Sequence, residues 1–333
     1  MLFRSQLIGE VKAGDHSTFE LQPGQAVRIF TGAAVPDSAN AIVIQEHVKR
    51  EQNSITLQQN PSLGANIRDQ GEQIKQGELA LTKNTRISAA GVGFLATLGL
   101  DQVVVWDQPK IVIIVTGNEL IAPGQPLQHG QIYESNGAML NAALANFGYT
   151  QVTIQKLNDD YNQTEASFKK ALAAYDLILV SGGISVGDYD FVYRALQANT
   201  VKEVFYKVRQ KPGKPLFFGT KNNSMVFGLP GNPASSLSCF YIYVLQALHY
   251  WYGLQGNALH QLELPLKQGY FKKGDRAQFL KAYADHVGVQ ILDGQASSMI
   301  HSFSKANALV YLPEPETQWE AGNAVTTYLI QQY

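Results

Sequence analysis

Between residues 109 and 253 the apolar positions switch repeatedly between the spacing of strands and that of helices. The run Ile111-Val112-Ile113-Ile114-Val115 is continuous and β-branched, as in a strand covered on both faces of a parallel sheet. Further strands are predicted over 152–155 and 176–180, with helices over 137–147 and 165–173. This alternation predicts a doubly wound α/β domain whose ligands bind in the loops after the strands. Asn232-Pro233-Ala234-Ser235 opens a long apolar helix ending near Gly253, with the asparagine as cap and the proline in the first helical position.

The pattern differs on either side of this region. Residues 1 to about 70 carry short apolar runs over 26–30 and 41–44 between Gly and Pro turn signals, which predicts a β domain. From Ser88 to Gly99 a connecting helix is expected, capped by the serine and ended by the glycine. After Gly256, short strands with turns at Lys273-Gly274-Asp275 and Asp293-Gly294 predict a small β-barrel or sandwich. The expected organisation is an N-terminal β domain over 1–70, a helical linker over 71–108, the α/β domain over 109–255 and a C-terminal β domain over 256–333.

Composition narrows the function classes. Of 333 residues only 16% are charged, and 26 basic residues against 27 acidic ones give a net charge of -1. A general nucleic-acid or polybasic membrane surface is not expected, so any anion site must be local. The single cysteine, Cys239, sits in an apolar run and reads as a buried structural thiol. Neither a signal-peptide h-region nor an unbroken apolar span is present, so a soluble cytoplasmic protein is expected.

Two loops stand out in a chain so poor in charge. Val180-Ser181-Gly182-Gly183-Ile184-Ser185-Val186-Gly187-Asp188-Tyr189-Asp190 leaves a buried strand and enters a helix through three glycines. Such a loop suits an oxyanion cradle of backbone N–H groups, and equally a tight strand-to-helix turn. Lys207-Val208-Arg209-Gln210-Lys211-Pro212-Gly213-Lys214-Pro215 stiffens basic residues with two prolines, and points to phosphates or a tetrahedral dianion such as molybdate. Phe227-Gly228-Leu229-Pro230-Gly231-Asn232-Pro233 is a second glycine loop on the same expected face. Glu119, Asp159, Asp160, Asp188 and Asp190 follow the predicted strands, and as oxygen-only ligands beside a phosphate site they suit Mg²⁺. Asp159 and Asp160 also precede a helix, where they would serve as caps.

These segments, in this order and together with Thr116-Gly117-Asn118-Glu119-Leu120, Pro123-Gly124-Gln125-Pro126-Leu127 and Gly130-Gln131-Ile132-Tyr133-Glu134-Ser135-Asn136, resemble the molybdopterin molybdotransferases, MoeA and the gephyrin E domain. Arg28-Ile29-Phe30-Thr31-Gly32-Ala33-Ala34-Val35-Pro36, Ile67-Arg68-Asp69-Gln70-Gly71-Glu72 and Ser302-Phe303-Ser304-Lys305-Ala306-Asn307 extend the resemblance over nearly the whole chain. It implies a MogA-like central domain that binds adenylylated molybdopterin, molybdate insertion at the dithiolene, Mg²⁺-dependent release of AMP, and a homodimer. A molybdopterin adenylyltransferase or a recipient molybdoenzyme would be its protein partners. Carried over by motif, Lys207, Lys211 and Lys214 would hold molybdate and phosphate oxygens, and Glu119, Asp159, Asp160 and Asp190 would serve acidic or metal-linked roles. Thr116, Gly117, Asn136, Ser181, Gly182, Gly183, Ser185, Gly187, Pro230, Gly231 and Asn232 would line the cofactor pocket.

The sequence departs from the family pattern in three places. A preceding segment with an Asp-Gly-Tyr-Ala motif is expected in the family and is not in this sequence; Gln73 stands where the Arg-Gly-Glu-Asp-Ile motif has aspartate; and Asn118 replaces the aspartate of Thr-Gly-Asp-Glu-Leu. Binding is therefore expected to be retained better than turnover, and a divergent paralogue that binds molybdopterin without efficient insertion is the alternative. An adenylyltransferase fits less well, because those proteins resemble the central domain alone.

Overall fold

The computed structural model describes residues 3–16, 18–184 and 191–331, which divide into two units between Lys83 and Asn84. In the first, β1 (Arg4–Val11), β2 (Gln25–Ile29), β3 (Val48–Glu51) and β4 (Ser54–Leu57) form a sheet in the order β2-β1-β4-β3, parallel only between β1 and β2. Exposure alternates along β1, the period of a strand with one covered face. Its register shifts between Leu7 and Gly9, where a Cβ on Gly9 would lie 2.6 Å from the Phe19 ring. The apolar run over 41–44 forms no strand. Its backbone bonds to a neighbouring loop instead, with Ile42 N donating to Ala65 O at 2.8 Å and Asn66 Nδ2 to Ile42 O at 2.8 Å.

The second unit begins with α1 (Ala89–Thr97), whose Gly91 N–H donates to Ser88 Oγ at 3.1 Å and beyond which Gly99 takes φ 77°. The α/β region follows as β5 (Ile111–Thr116), β6 (Leu120–Ile121), β7 (Ile132–Tyr133), α2 (Asn136–Asn146), β8 (Val152–Leu157), α3 (Tyr161–Ala174), β9 (Leu177–Ser181), α4 (Phe191–Ala198), β10 (Lys202–Tyr206), β11 (Gln210–Lys211), β12 (Phe217–Lys221) and β13 (Ser224–Leu229). Helix α5 (Pro233–Cys239) then runs through a π-helical turn, Phe240–Val244, into α6 (Leu245–Trp251).

Its main sheet has the order β10-β12-β13-β9-β5-β8, with β8, β5, β9 and β13 parallel. The two-residue period of a strand divides β5 cleanly. Ile111, Ile113 and Val115 pack with Leu140, Leu144, Leu237, Phe240 and Leu248, whereas Val112 and Ile114 pack with Phe168, Ala171, Val192 and Leu196. Helices thus cover both faces, as a doubly wound fold requires. Helix α3 starts at Tyr161, four residues before its predicted start, because Asp160 caps it: Asp160 Oδ1 accepts from Gln163 N at 2.7 Å.

The C-terminal strands are β14 (His260–Pro265), β15 (Tyr270–Phe271), β16 (Ala277–Ala284), β17 (Val289–Ile291), β18 (Ala308–Leu312), β19 (Gln318–Trp319) and β20 (Ala324–Leu329). The principal sheet runs β11-β16-β18-β20-β14, so the short strand β11 of the lysine loop pairs with β16. One apolar cluster, including Phe240, Phe303, Ala306 and Leu309, runs from the α/β region into this sheet. The predicted turns are present, with Gly274 at φ 91° and Gly294 at φ 74°. Among the described residues no helix is long and apolar enough to cross a membrane.

Asn307 fastens the end of β16: its Oδ1 accepts from Ala284 N and its Nδ2 donates to Ala284 O, both at 2.7 Å, in a buried setting. Asn307→Ala would leave both backbone groups unpaired, and should cost about 1–3 kcal/mol for each group left unsatisfied. Urea unfolding measures it; a loss below about 0.5 kcal/mol would mean that water replaces the amide.

Candidate active site

Strands β5, β9 and β13 end together, and the loops that leave them border a cleft of about 980 Å³. The buried Asn136 at the start of α2 ties two of these loops together. Its Nδ2 donates to Ser181 Oγ and to Gly231 O, both at 2.8 Å. Gly182 and Gly183, at φ 94° and 64°, lie so close to β5 that a Cβ on either would come within 3.0 Å of Thr116. The glycines are therefore required by the close packing of strand ends, whether or not a ligand also approaches them. Thr116 Oγ1 and Asn136 Oδ1 are buried here without a hydrogen-bond partner among the described residues, polar capacity that a bound ligand or water would satisfy.

The lysine loop forms a second wall. Lys211 and Lys214 line the cleft, while Gly213, at φ 89°, sits where a Cβ would be 2.5 Å from Cys239 Sγ. Gln210 braces the loop from beneath: its Nε2 donates to Pro212 O at 3.0 Å, and its Oε1 accepts from the Tyr243 hydroxyl of the π-helical turn. Burial pushes the Cys239 thiol up to about 12, so a thiolate nucleophile is not available at neutral pH. Lys207 is not among the cleft-lining residues; its ammonium lies 4.6 Å from the centre of the Tyr206 ring.

Of the predicted carboxylates, Glu119 and Asp159 line the cleft. Glu119 folds back over Gly117, where a Cβ would stand 2.7 Å from its Oε2. Asp159 is paired reciprocally with Asn118: Asn118 N donates to Asp159 Oδ2 at 3.2 Å and Asp159 N to Asn118 Oδ1 at 3.1 Å. Asp160 lies outside the lining and is occupied in capping α3. Asp188 and Asp190, with Ser185 and Gly187, lie outside the described residues. Among the described residues, no three His, Cys, Asp or Glu side chains are grouped as a metal centre.

Thr116, Gly117, Asn136, Ser181, Gly182, Gly183, Pro230, Gly231 and Asn232 all reach the cleft. Asn232 occupies the cap position of α5 without capping it through its side chain, which donates to Ser297 Oγ at 3.0 Å. Ser297 O accepts from Ala234 N at 3.1 Å, so a residue of the C-terminal domain satisfies the start of α5. Arg276, Gln295, Ser297 and Ser298 line the cleft from that domain, and sequence reading missed them. Their nearest clue was the turn at Asp293-Gly294, which carried no chemistry of its own. Glu134 was missed as well; it lines the cleft and accepts from Gly137 N at 2.8 Å.

Residues 3–99 match the family described as MoeA N-terminal region (domain I and II), 112–250 the probable molybdopterin binding domain, and 263–330 the MoeA C-terminal region (domain IV). The molybdopterin molybdenumtransferase of Bacillus subtilis (strain 168) is 33% identical over 99% of this chain and 78% of its own length. This chain belongs to the molybdopterin molybdenumtransferase (MoeA) family. Within that family, the Haemophilus influenzae enzyme of the same name is 32% identical over 96% of this chain and 80% of its own. The crystal structure of the molybdopterin biosynthesis MoeA protein from Pyrococcus horikoshii superposes with a TM-score of 0.82 at 29% identity, covering 100% of this chain and 82% of that one. A molybdenum cofactor biosynthesis protein from Pyrococcus furiosus shares the fold, with a TM-score of 0.61.

The capping role of Asp160 is separable from metal binding. Asp160→Ala should lower stability by about 0.5–2 kcal/mol, the ordinary cost of a lost cap, and leave ligand affinity unchanged. Thermal unfolding and titration calorimetry check both halves; unchanged stability with altered Mg²⁺ dependence would return Asp160 to the metal set.

Proposed function

We propose that this MoeA-family chain inserts molybdate into adenylylated molybdopterin and releases AMP at the cleft. The observation that carries the reading is that two kinds of charge line one opening: Lys211, Lys214 and Arg276 with Glu119 and Asp159. The cations suit the oxygens of molybdate and of the phosphates, and the glycine loops suit close approach of the pterin side. Catalysis then rests on positioning and preorganised charge, since the only cysteine is buried and held protonated.

Mg²⁺ belongs to the same reading. Glu119 and Asp159 offer it two oxygen-only ligands, and Mg²⁺ commonly keeps several waters while bridging one or two carboxylates to substrate phosphates. The donor set therefore fits an ion completed by substrate, which when bound would neutralise phosphate charge. Asp190 is proposed with them on the motif, and Ser185 and Gly187 with the pocket. Lys207, placed over Tyr206, serves this reading less directly than Lys211 and Lys214. A homodimer is supported by Val103, Val104, Val105 and Trp106, a run of exposed large apolar side chains, which is unusual for a surface that meets only water.

AMP release from adenylylated molybdopterin with molybdate and Mg²⁺ present tests the reading. Lys211→Ala and Lys214→Ala should each slow it by a factor of about 10²–10³, by analogy with lost oxyanion donors. Both side chains are exposed, so stability should change by only about ±0.5 kcal/mol. Full activity in both variants would overturn the assignment.

A second reading, binding without efficient turnover, is favoured by Gln73, an amide where the family motif carries a carboxylate. On that reading Gln73→Asp raises the rate of AMP release at saturating substrate and leaves affinity unchanged. Equal rates would retire it.

A further inference from the structure

We propose that the ammonium of Lys281 is the positioning group for the loop over 293–299, holding Ser297 and Ser298 in the arrangement with which they face an oxyanion in the cleft. The inference rests on the reading of that cleft as an oxyanion site.

Lys281 lies in the middle of β16 and is only 3% exposed. Its Nζ donates to Gly294 O at 2.6 Å, Met299 O at 3.0 Å and Ala296 O at 3.4 Å. These carbonyls interleave with Gln295, Ser297 and Ser298, which line the opening, so the lysine grips the loop through the residues between them. Ser302 Oγ lies within hydrogen-bond reach of two of the same carbonyls, Gly294 O and Met299 O. Gln295 is tied to the same strand, its Oε1 accepting from Lys281 N at 3.0 Å and its Nε2 donating to Lys281 O at 2.8 Å. At the tip, Ser297 meets Asn232 and Ala234, which couples the loop to the glycine loop after β13.

The count of donors gives this device a pH dependence. A protonated lysine has three N–H groups for three carbonyls; the neutral amine has two, and its lone pair would face the third carbonyl. Burial brings the Lys281 ammonium down from 10.5 to about 8. The ionisable residues of the elements around it are Tyr283 on its own strand, Tyr311 on the paired strand, Tyr328 beyond Leu309, Asp293, His301 and Lys305, and Tyr241 behind the Phe303 ring. Among the described residues none of these forms an ion pair with it. The grip is complete below about pH 8 and loosens as pH rises through that value.

Stability moves the other way. Because the folded value lies below the unfolded one, between about pH 8 and 10.5 the unfolded chain holds a proton that the folded chain lacks, and this group's contribution to stability rises with pH. A loss of anion affinity above pH 8 that comes from Lys281 is therefore separable from unfolding, which the thermal midpoint reads independently.

Calorimetric titration of the full chain with sodium molybdate from pH 6.5 to 9.5, with thermal midpoints measured alongside, tests the proposal. Wild-type affinity should fall about tenfold across the range, the scale of one lost charge-assisted hydrogen bond, without a fall in midpoint up to pH 9. Lys281→Arg, which keeps its charge throughout, should abolish the alkaline loss, and Lys281→Met should bind weakly at every pH. Hydrogen exchange at pH 7 should show residues 293–299 less protected in Lys281→Met than in wild type. Molybdate bound equally well at pH 7 and 9.5, or an arginine variant that follows the wild-type profile, overturns the role of Lys281 alone. No molybdate bound at pH 7 overturns the reading of the cleft, and this inference with it. Should neither variant fold, the wild-type profile decides.

Discussion

The cleft depends on three parallel strands ending at one level and on a buried amide that ties two of the segments leaving them. Where β5, β9 and β13 stop, each leaves a turn whose backbone polar groups no longer have a ladder partner. Asn136 closes part of that deficit by donating to Gly231 O, and ties in β9 by donating to the Ser181 hydroxyl. Among the described residues nothing uses the remaining capacity of Thr116 Oγ1 and Asn136 Oδ1 on the floor of the opening. A floor that is rigid yet polar and incompletely satisfied favours a ligand over bulk water, because a ligand's oxygens can supply what the protein does not.

The walls are supplied from different parts of the chain by a common device. Two buried lysines, without acidic partners among the described residues, collect carbonyls: Lys281 gathers Gly294, Ala296 and Met299, and Lys272 gathers Arg276, Pro313 and Glu314. Each converts an irregular segment beside the cleft into a fixed one, and the second holds the backbone of Arg276, which reaches the cleft and donates to Gln210 O. Gln210 in turn braces Pro212 and receives the Tyr243 hydroxyl. The lysine loop is thus bound on one side to the β16 edge and on the other to a π-helical turn, an irregularity often found where helices serve a site.

Much of this was legible in the sequence. The β-branched run over 111–115 fixed the buried central strand, and the order of the glycine and lysine loops located the cleft. What escaped was set by tertiary contact. The run over 41–44 has strand composition, yet its hydrogen bonds go to residues 65 and 66. Asn232 and Pro233 read as a cap, yet the asparagine side chain serves Ser297 instead. Asp159 and Asp160 are adjacent in sequence and part in structure, one facing the cleft and one spent on α3, a division that spacing alone does not carry. The contribution of the C-terminal domain came from serines and a glutamine in a turn, residue types with no signature until the fold places them.

On the proposed function, oxyanions are held where the lysine loop meets the serine loop of the C-terminal domain. Crystals soaked in tungstate, an electron-dense analogue of molybdate, locate that position directly by anomalous scattering. The expected result is a principal peak within hydrogen-bond reach of Lys211 or Lys214 and facing Arg276 and Ser298. A principal peak elsewhere, with the cleft empty at saturating tungstate, would contradict it.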